Sequence, residues 1–408
     1  MPSRCETVKT LLIMMLKRIL GGVEIKLVIA WIFVLVVTTL LDPNRTYVTN
    51  PESTASLIWR NTVFLGFFAI GSAVIITSGG IDLSSGSVIA LSATVFSSLM
   101  MLLDPDGFRD GEISRGVVTV ALIGTLFVGA MVGTLNAWLI TAVGLPPFIA
   151  TLATMVGLRS FARGLVGTVT GNRSQIDMTD TALRDSLKDL TTVSIVFMLF
   201  AAAIWFLMTF TVVGRHLHAM GGNEAAARLS GIRTDRLKWL AYVIGSVSAS
   251  IVGIIYFADQ GSAKPDILAR GYELNAIAAA VIGGCSLSGG VGSIIGTVLG
   301  CLFLRTVIDA VNKIVGTGAD VYEGMIVGIV VVMAVTFSQR GTAIGRRYFV
   351  SPIGWASIPI LSTLAGISFV LFFRDKPWFV GMHAVVIGGV TAGCLVLRSW
   401  LEMRGQKT

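Results

Sequence analysis

The chain reads as an all-α polytopic membrane protein. Three observations predict this: 54% of its 408 residues are hydrophobic against 13% charged, mean hydropathy is +0.82, and the apolar residues fall in long blocks instead of short amphipathic stretches. A helix needs about 20 apolar residues to cross the hydrocarbon core. Blocks of roughly that size centre on 27–41, 62–77, 87–103, 117–143, 148–166, 190–211, 238–256, 273–283 with 292–312, 322–337, 352–373 and 379–397. Counting 273–283 and 292–312 separately, twelve spans are predicted.

Taken in order, residues 1–26 form a basic amphipathic N-terminus. Leu11 to Leu20 is too broken by Lys17 and Arg18 for a signal sequence, and no small-residue cleavage site follows. The main transmembrane domain covers 27–340, and 352–398 reads as an additional membrane hairpin joined by Arg374-Asp375-Lys376-Pro377. Orientation follows from lysine and arginine beside the spans. Arg4, Lys9, Lys17, Arg18 and Lys26 precede the first span; Arg215, Arg228, Arg233, Arg236 and Lys238 fill the segment near 212–238; Arg340, Arg346 and Arg347 follow the tenth. That side is predicted to be cytoplasmic, with both termini on it. Opposite loops carry Asp104, Asp106, Asp110 and Glu112, and then Asp177, Asp180, Asp185 and Asp189. The +8 net charge is explained by this topology and gives no reason to expect nucleic acid as a partner. Trp59 and Trp378 suit the outer headgroup level and Trp239 and Trp400 the inner one; Trp31 and Trp205 lie within spans.

One glycine pattern interrupts the apolar sequence twice, as Gly79-Gly80-Ile81-Asp82-Leu83-Ser84-Ser85-Gly86 and Gly283-Gly284-Cys285-Ser286-Leu287-Ser288-Gly289-Gly290. Irregular backbone at membrane depth is tolerated only where protein buries it or a wet cavity receives it. Each copy follows an inward-running span, so the two are parallel and imply a pseudo-two-fold axis along the membrane normal. Gly79, Gly80, Asp82, Ser84, Gly283, Gly284 and Ser288 are the pathway or hinge candidates. Asp82 is the only carboxylate at either break. A charge deep in a bilayer costs on the order of 2.5–3.5 kcal/mol, so it needs a partner or water. It either faces the inner mouth of a pathway or caps the helix that begins near Ser84.

Between spans, Gly221-Gly222-Asn223-Glu224-Ala225-Ala226-Ala227-Arg228-Leu229-Ser230-Gly231-Ile232 reads as a short capped helix. Asn223 is its N-cap, Glu224 and Arg228 complement the two helix ends, and Gly231 stops it. About two turns are marginal alone, because nucleation is costly. Such a helix needs a docking surface, on its own membrane domain or on a partner.

No phosphate loop, zinc-protease pair or nucleophile elbow is present. His216, His218 and His383 do not cluster as ligands, and Cys5, Cys285, Cys301 and Cys394 lack metal-ligand spacing. No cofactor is expected in the chain. Active transport then draws on a partner or an ion gradient. An ion-coupled secondary carrier should show several acids within its spans, yet Asp309 and Asp82 are nearly alone. A membrane enzyme or channel is the remaining class.

These motifs resemble the permease subunit of bacterial ATP-binding-cassette sugar importers, the ribose/xylose/galactose branch. The resemblance runs from about 60 to 340 and rests on S-G-G-I-D-L-S-S-G-S at 78–87, P-F-I-A-T-L at 147–152 with Met155 and Arg159, G-N-E-A-A-A-R-L-S-G-I at 222–232, and G-Y-E-L-N-A-I-A-A-A-V-I-G-G at 271–284 running on through C-S-L-S-G-G-V-G-S-I-I-G-T at 285–297. It implies a non-catalytic inner-membrane subunit of about ten helices that pairs with a second permease copy. Two cytoplasmic ATPases carrying ATP and magnesium would drive it, and a periplasmic protein would deliver the sugar. In that setting 223–230 resembles the coupling helix, with Asn223, Glu224, Ala225, Ala226, Arg228 and Gly231 at the ATPase contact. Its Glu is displaced by one residue from the E-A-A-x-x-x-G signature of importer permeases, which weakens a contact assigned to Glu224 itself. Gly124, Gly129 and Gly133 would let helices approach closely. The loop Ser262-Ala263-Lys264-Pro265, leading into Gly271-Tyr272-Glu273, is the candidate outer gate or binding-protein contact, with Pro265, Tyr272 and Glu273 singled out.

Overall fold

The computed structural model describes residues 23–315 and a few isolated positions beyond them. Helix α1 (Val23–Leu41) is followed by the single turn α2 (Thr46–Thr49) and the long α3 (Pro51–Thr77). Next come α4 (Ser85–Leu103), α5 (Pro105–Asp110), α6 (Arg115–Thr141) and α7 (Pro147–Thr170). The chain continues through β1 (Ile176–Asp177), α8 (Thr181–Lys188), α9 (Leu190–Phe210), α10 (Val212–Gly222), α11 (Glu224–Leu229), α12 (Thr234–Gln260) and β2 (Ser262–Ala263). It ends with α13 (Tyr272–Ile282) and α14 (Ile294–Val315). Local sequence explains the boundaries. Pro51 and Pro147 open α3 and α7, where a missing N–H leaves nothing unpaired. Asp104, Asp180, Asp189 and Thr211 cap the helices that follow them, while Gly111, Gly171 and Gly261 stop α5, α7 and α12 in the left-handed conformation.

Eight of these helices are long and apolar enough to cross a membrane. The eighth predicted span, 273–283, is instead the 11-residue α13. At 1.5 Å per residue it covers roughly 16 Å, about half the hydrocarbon core. The segment 264–271 supplies the rest of the excursion. Spans predicted at 322–337, 352–373 and 379–397 lie outside the described residues, as do Cys5, His383, Trp378, Cys394 and Trp400. Of the two compact units in the chain, Met1–Ile314 with Asp320–Val335 forms the first and holds every site discussed below; the second comprises Val315–Ala319 and Thr336–Thr408.

Helices α3, α4 and α12 are buried along most of their length, whereas α1, α6, α7 and α9 keep broad apolar faces outward. In lipid the hydrophobic effect does not drive helices together, so the core depends on close packing. Small residues provide it. A side chain at Gly129 would strike Ser250, one at Gly133 would come within 2.6 Å of the Tyr242 carbonyl oxygen, and one at Gly253 within 2.7 Å of Ser92 Cβ. Gly71 meets Ser248 and Gly245 in the same way, which seats α3 and α6 directly on α12. Gly124 instead approaches the flexible end of Leu99. Fully buried rings fill what remains: Phe67 stands edge-on to Phe197 at 5.2 Å, and Phe96 edge-on to Phe257 at 6.1 Å.

The bundle has two distinguishable ends. At one, β1 pairs antiparallel with β2, Asp180 receives the Ile113 N–H at 3.1 Å, and Arg184 donates to the Ala258 carbonyl at 3.0 Å. This ribbon end carries the acidic loops. The opposite end carries α10, α11, both glycine breaks and the basic residues from Arg215 to Lys238.

Candidate functional site

The two breaks are built alike. After α3, the Gly79 N–H bonds the Ile76 carbonyl at 2.9 Å and the Gly80 N–H bonds the Ile75 carbonyl at 2.9 Å. After α13, the Gly284 N–H bonds Val281 at 3.0 Å and the Cys285 N–H bonds Ala280 at 2.9 Å. Both are Schellman closures, with the left-handed residue at Gly79 (φ 85°) and Gly284 (φ 96°). The geometry therefore matches Ser78-Gly79 to Gly283-Gly284, one residue out of register with the sequence pattern that sets Gly79 against Gly283. Ser288 sits exposed on the second loop, its hydroxyl 2.9 Å from that of Ser286.

Far apart in sequence, the breaks meet in space. The Gly290 N–H donates to the carbonyl of Thr77, the last residue of α3, at 2.9 Å. Gly221, at the end of α10, lies against both: a Cβ there would collide with the Thr77 carbonyl and the Gly290 nitrogen. A Cβ on Gly289 would come within 2.9 Å of Gly79 Cα, and one on Gly290 within 2.8 Å of Gly222 Cα. His218 on α10 completes the seam, one ring nitrogen 2.8 Å from the Gly214 carbonyl and the other 3.4 Å from that of Gly292. No sequence signal pointed to His218; it is a seam residue only because α10 folds back over the second break.

Asp82 ends a buried hydrogen-bond chain through three elements. Thr154 on α7 donates to Asn136 Oδ1 at 2.8 Å, Asn136 on α6 donates to the Ser84 hydroxyl at 2.9 Å, and that hydroxyl donates to Asp82 Oδ1 at 2.6 Å. The Ser84 N–H joins the same carboxylate oxygen at 2.7 Å. Asp82 thus tethers the turn before α4, while the Ser84 side chain makes no cap of its own. The other oxygen, Oδ2, takes no hydrogen bond, although Asp82 is only 3% exposed. Beside it the Ile81 carbonyl accepts from Tyr242 at 3.2 Å and Thr151 at 3.3 Å.

Beyond the seam, α11 projects at the same end. Asn223 accepts the Ala226 N–H at 3.0 Å, and Gly231 (φ 83°) closes the helix with the Ile232 N–H on Ala227 at 3.1 Å. Glu224 is braced from behind by Lys238 at 2.7 Å, and Arg228 by Asp235 at 2.9 Å. Ala227 faces inward, while Ala225, Ala226, Ser230 and Gly231 are exposed and Leu229 is 90% exposed. A leucine held in water at the tip of a small-residue helix is a contact in search of a partner. Its signal in the sequence was present, an apolar residue ending an alanine helix, and the motif reading passed over it.

At the other face of α13, the gate candidates separate. Pro265 is buried, and its carbonyl accepts from Arg159 at 2.8 Å; Ser262 and Ala263 are buried as well. The exposed residues of that segment are Asp266, Ile267 and Arg270. Tyr272 stacks on Phe68 at 6.4 Å, with the Arg305 guanidinium 5.6 Å from its ring. Glu273 is half-buried. Asp309 on α14 is 3.0 Å from the Tyr47 hydroxyl and 3.4 Å from Lys313, a paired group rather than an open ion site. Among the described residues no cluster suits a metal ion.

A family model described as "Branched-chain amino acid transport system / permease component" matches residues 54–335, which takes in every element from α3 to α14. The chain belongs to this family. It is 34% identical to the ribose import permease protein RbsC of Escherichia coli strain K12, over 76% of this chain and 91% of the relative. It is 31% identical to the D-allose transport system permease protein AlsC of the same strain, covering 68% and 80%, and 29% identical to the fructose import permease protein FruG of Bifidobacterium longum, covering 71% and 84%. No solved structure matches. As a permease, the molecule has its breaks, seam and projecting α11 at one end of a helical path.

Proposed function

We propose that this chain is the membrane subunit of an ATP-driven importer of small sugars, working as a pair of copies in the bacterial inner membrane. Ribose, allose and fructose in the names of its relatives give the substrate class. The break end is cytoplasmic, in keeping with its basic residues, and the ribbon end meets a periplasmic sugar-binding protein. ATP and magnesium belong to separate ATPase subunits, and the chain itself catalyses nothing.

One observation carries the mechanism: the exposed α11 is joined through Gly221 and Gly222 to a seam in which both breaks touch. ATPase closure would press on Asn223, Glu224, Ala225, Ala226, Leu229 and Gly231, and α10 would pass the displacement to Thr77 and Gly290 together. Packed glycine interfaces have discrete arrangements instead of deforming continuously, so the spans respond as rigid bodies and access alternates. Asp82 and Ser84 then ride on the moving turn before α4.

The test is reconstitution with a partner ATPase and a sugar-binding protein, offering D-ribose, D-allose and D-fructose. Uptake should require all three components and ATP. Uptake by this chain alone, driven by an ion gradient, would overturn the reading.

A further inference from the structure

The face of α7 and the re-entrant segment 264–271 carry a strip of charge at membrane depth. Arg159 and Arg163 lie one turn apart on α7, Asp266 and Arg270 on the segment, and Glu273 in the first turn of α13. Arg163 and Asp266 pair at 2.7 Å with about half of each side chain exposed, 53% and 54%. Arg270 is exposed, and Arg159 and Glu273 are half-buried. Hydrocarbon does not accommodate five such groups, since each costs on the order of 2.5–3.5 kcal/mol at the centre of a span. The strip lines water.

Its inner end is built, not incidental. Arg159 donates through Nη1 to the Pro265 and Leu268 carbonyls at 2.8 and 3.0 Å and through Nε to the Ser87 hydroxyl at 3.3 Å. Those bonds fix the guanidinium plane, and Nη2 has no partner among the described residues. The segment is pressed against α4, where a Cβ on Gly86 would meet both the Ala269 carbonyl and the Glu273 carboxylate. Ala269 is held at φ 52°, left-handed without being glycine, a conformation kept only where surroundings over-determine it. Glu273 makes no ion pair among the described residues. Arg159 on Ser87 and Glu273 against Gly86 thus stand side by side at the start of α4, a fixed N–H donor beside a carboxylate acceptor at the bottom of a wet strip.

We propose that Arg159 and Glu273 form a transient contact site for a neutral polyhydroxylated solute, a monosaccharide, on its way through the protein. Each sugar hydroxyl both donates and accepts, so the carboxylate takes its hydrogen while the guanidinium edge supplies one to its oxygen. The outer pair Arg163–Asp266 offers the same chemistry one turn earlier. This inference rests on the sugar-importer reading.

The experiment uses the complete reconstituted importer with D-ribose, D-allose and D-fructose. Glu273→Gln should lower uptake of the transported sugar about tenfold, the worth of one hydrogen bond to a charged group. Leu199→Ala, 68% exposed on the outward face of α9 and away from the strip, should transport as the unaltered protein does. Uptake by Glu273→Gln within twofold of the unaltered protein overturns the site. In parallel, Leu274→Cys, 56% exposed beside Glu273, is treated with a charged, membrane-impermeant thiosulfonate, and the unaltered chain supplies the background. Modification that the transported sugar slows supports the site, and it decides the matter if Glu273→Gln fails to assemble. No modification overturns it, whether because lipid covers the residue or because a disulfide to a second copy does. An unaltered complex that carries none of the three sugars counts against the importer reading, whereas normal carriage with an unreactive Leu274→Cys counts against the strip alone.

Discussion

At the scale of residues, function gathers where side chains are missing or left unpaired. Gly221 is the tightest point: its hydrogen stands where any Cβ would overlap the Thr77 carbonyl. Gly221→Ala should cost on the order of 1–3 kcal/mol in overpacking, visible as a lower melting temperature. It should also reduce uptake more than about tenfold while ATP hydrolysis persists, because the displaced seam no longer follows α11. Uptake at the unaltered level would show that the seam does not transmit. Asp82 poses a different question, since Oδ1 holds Ser84 and Oδ2 holds nothing. Asp82→Asn keeps an acceptor for Ser84 and exchanges the free oxygen for a donor. Impaired uptake by a normally assembled complex is the expected result, and failure to assemble would assign the carboxylate to holding the turn. The motif reading found Asp82 and Ser84, but Asn136 and Thr154 carry no local mark. They matter because α6 and α7 bring them to the break.

At the scale of elements, α11 shows what a short helix owes to its surroundings. Its caps, Asn223 and Gly231, were legible because capping is a local exchange between a side chain or a left-handed turn and nearby backbone. What it docks on was not. Lys238 and Asp235 brace Glu224 and Arg228 from the start of α12, which turns Leu229 outward. Leu229→Asp should leave folding intact, because a 90% exposed side chain has little to lose, yet release the ATPase. Co-purification measures this, and undiminished ATPase recovery would remove Leu229 from the contact. Helix α13 teaches the converse. Its composition is that of a span, but it stops after 11 residues. Tyr272 and Gly271 begin it at the level of Phe68, where Arg159 and Gly86 hold the incoming segment.

At the scale of the whole molecule, the family match ends at 335 and the hairpin expected at 352–398 falls beyond it. A chain truncated after Arg347 should therefore still assemble and transport within about twofold of full length; loss of uptake with intact assembly would give the hairpin a role in the cycle. The all-α membrane architecture, the spans up to 315 other than 273–283 and the caps of α11 were determined by the sequence alone, because bilayer thickness imposes a length on apolar runs and backbone satisfaction imposes local rules on their ends. Only the tertiary structure decided that the two breaks touch across Gly221, that their geometric register differs by one residue from their sequence register, and that five charges align beside α7. Those are contacts between residues tens to hundreds of positions apart, set by how closely helices pack, and no local pattern encodes which small residue will face which backbone.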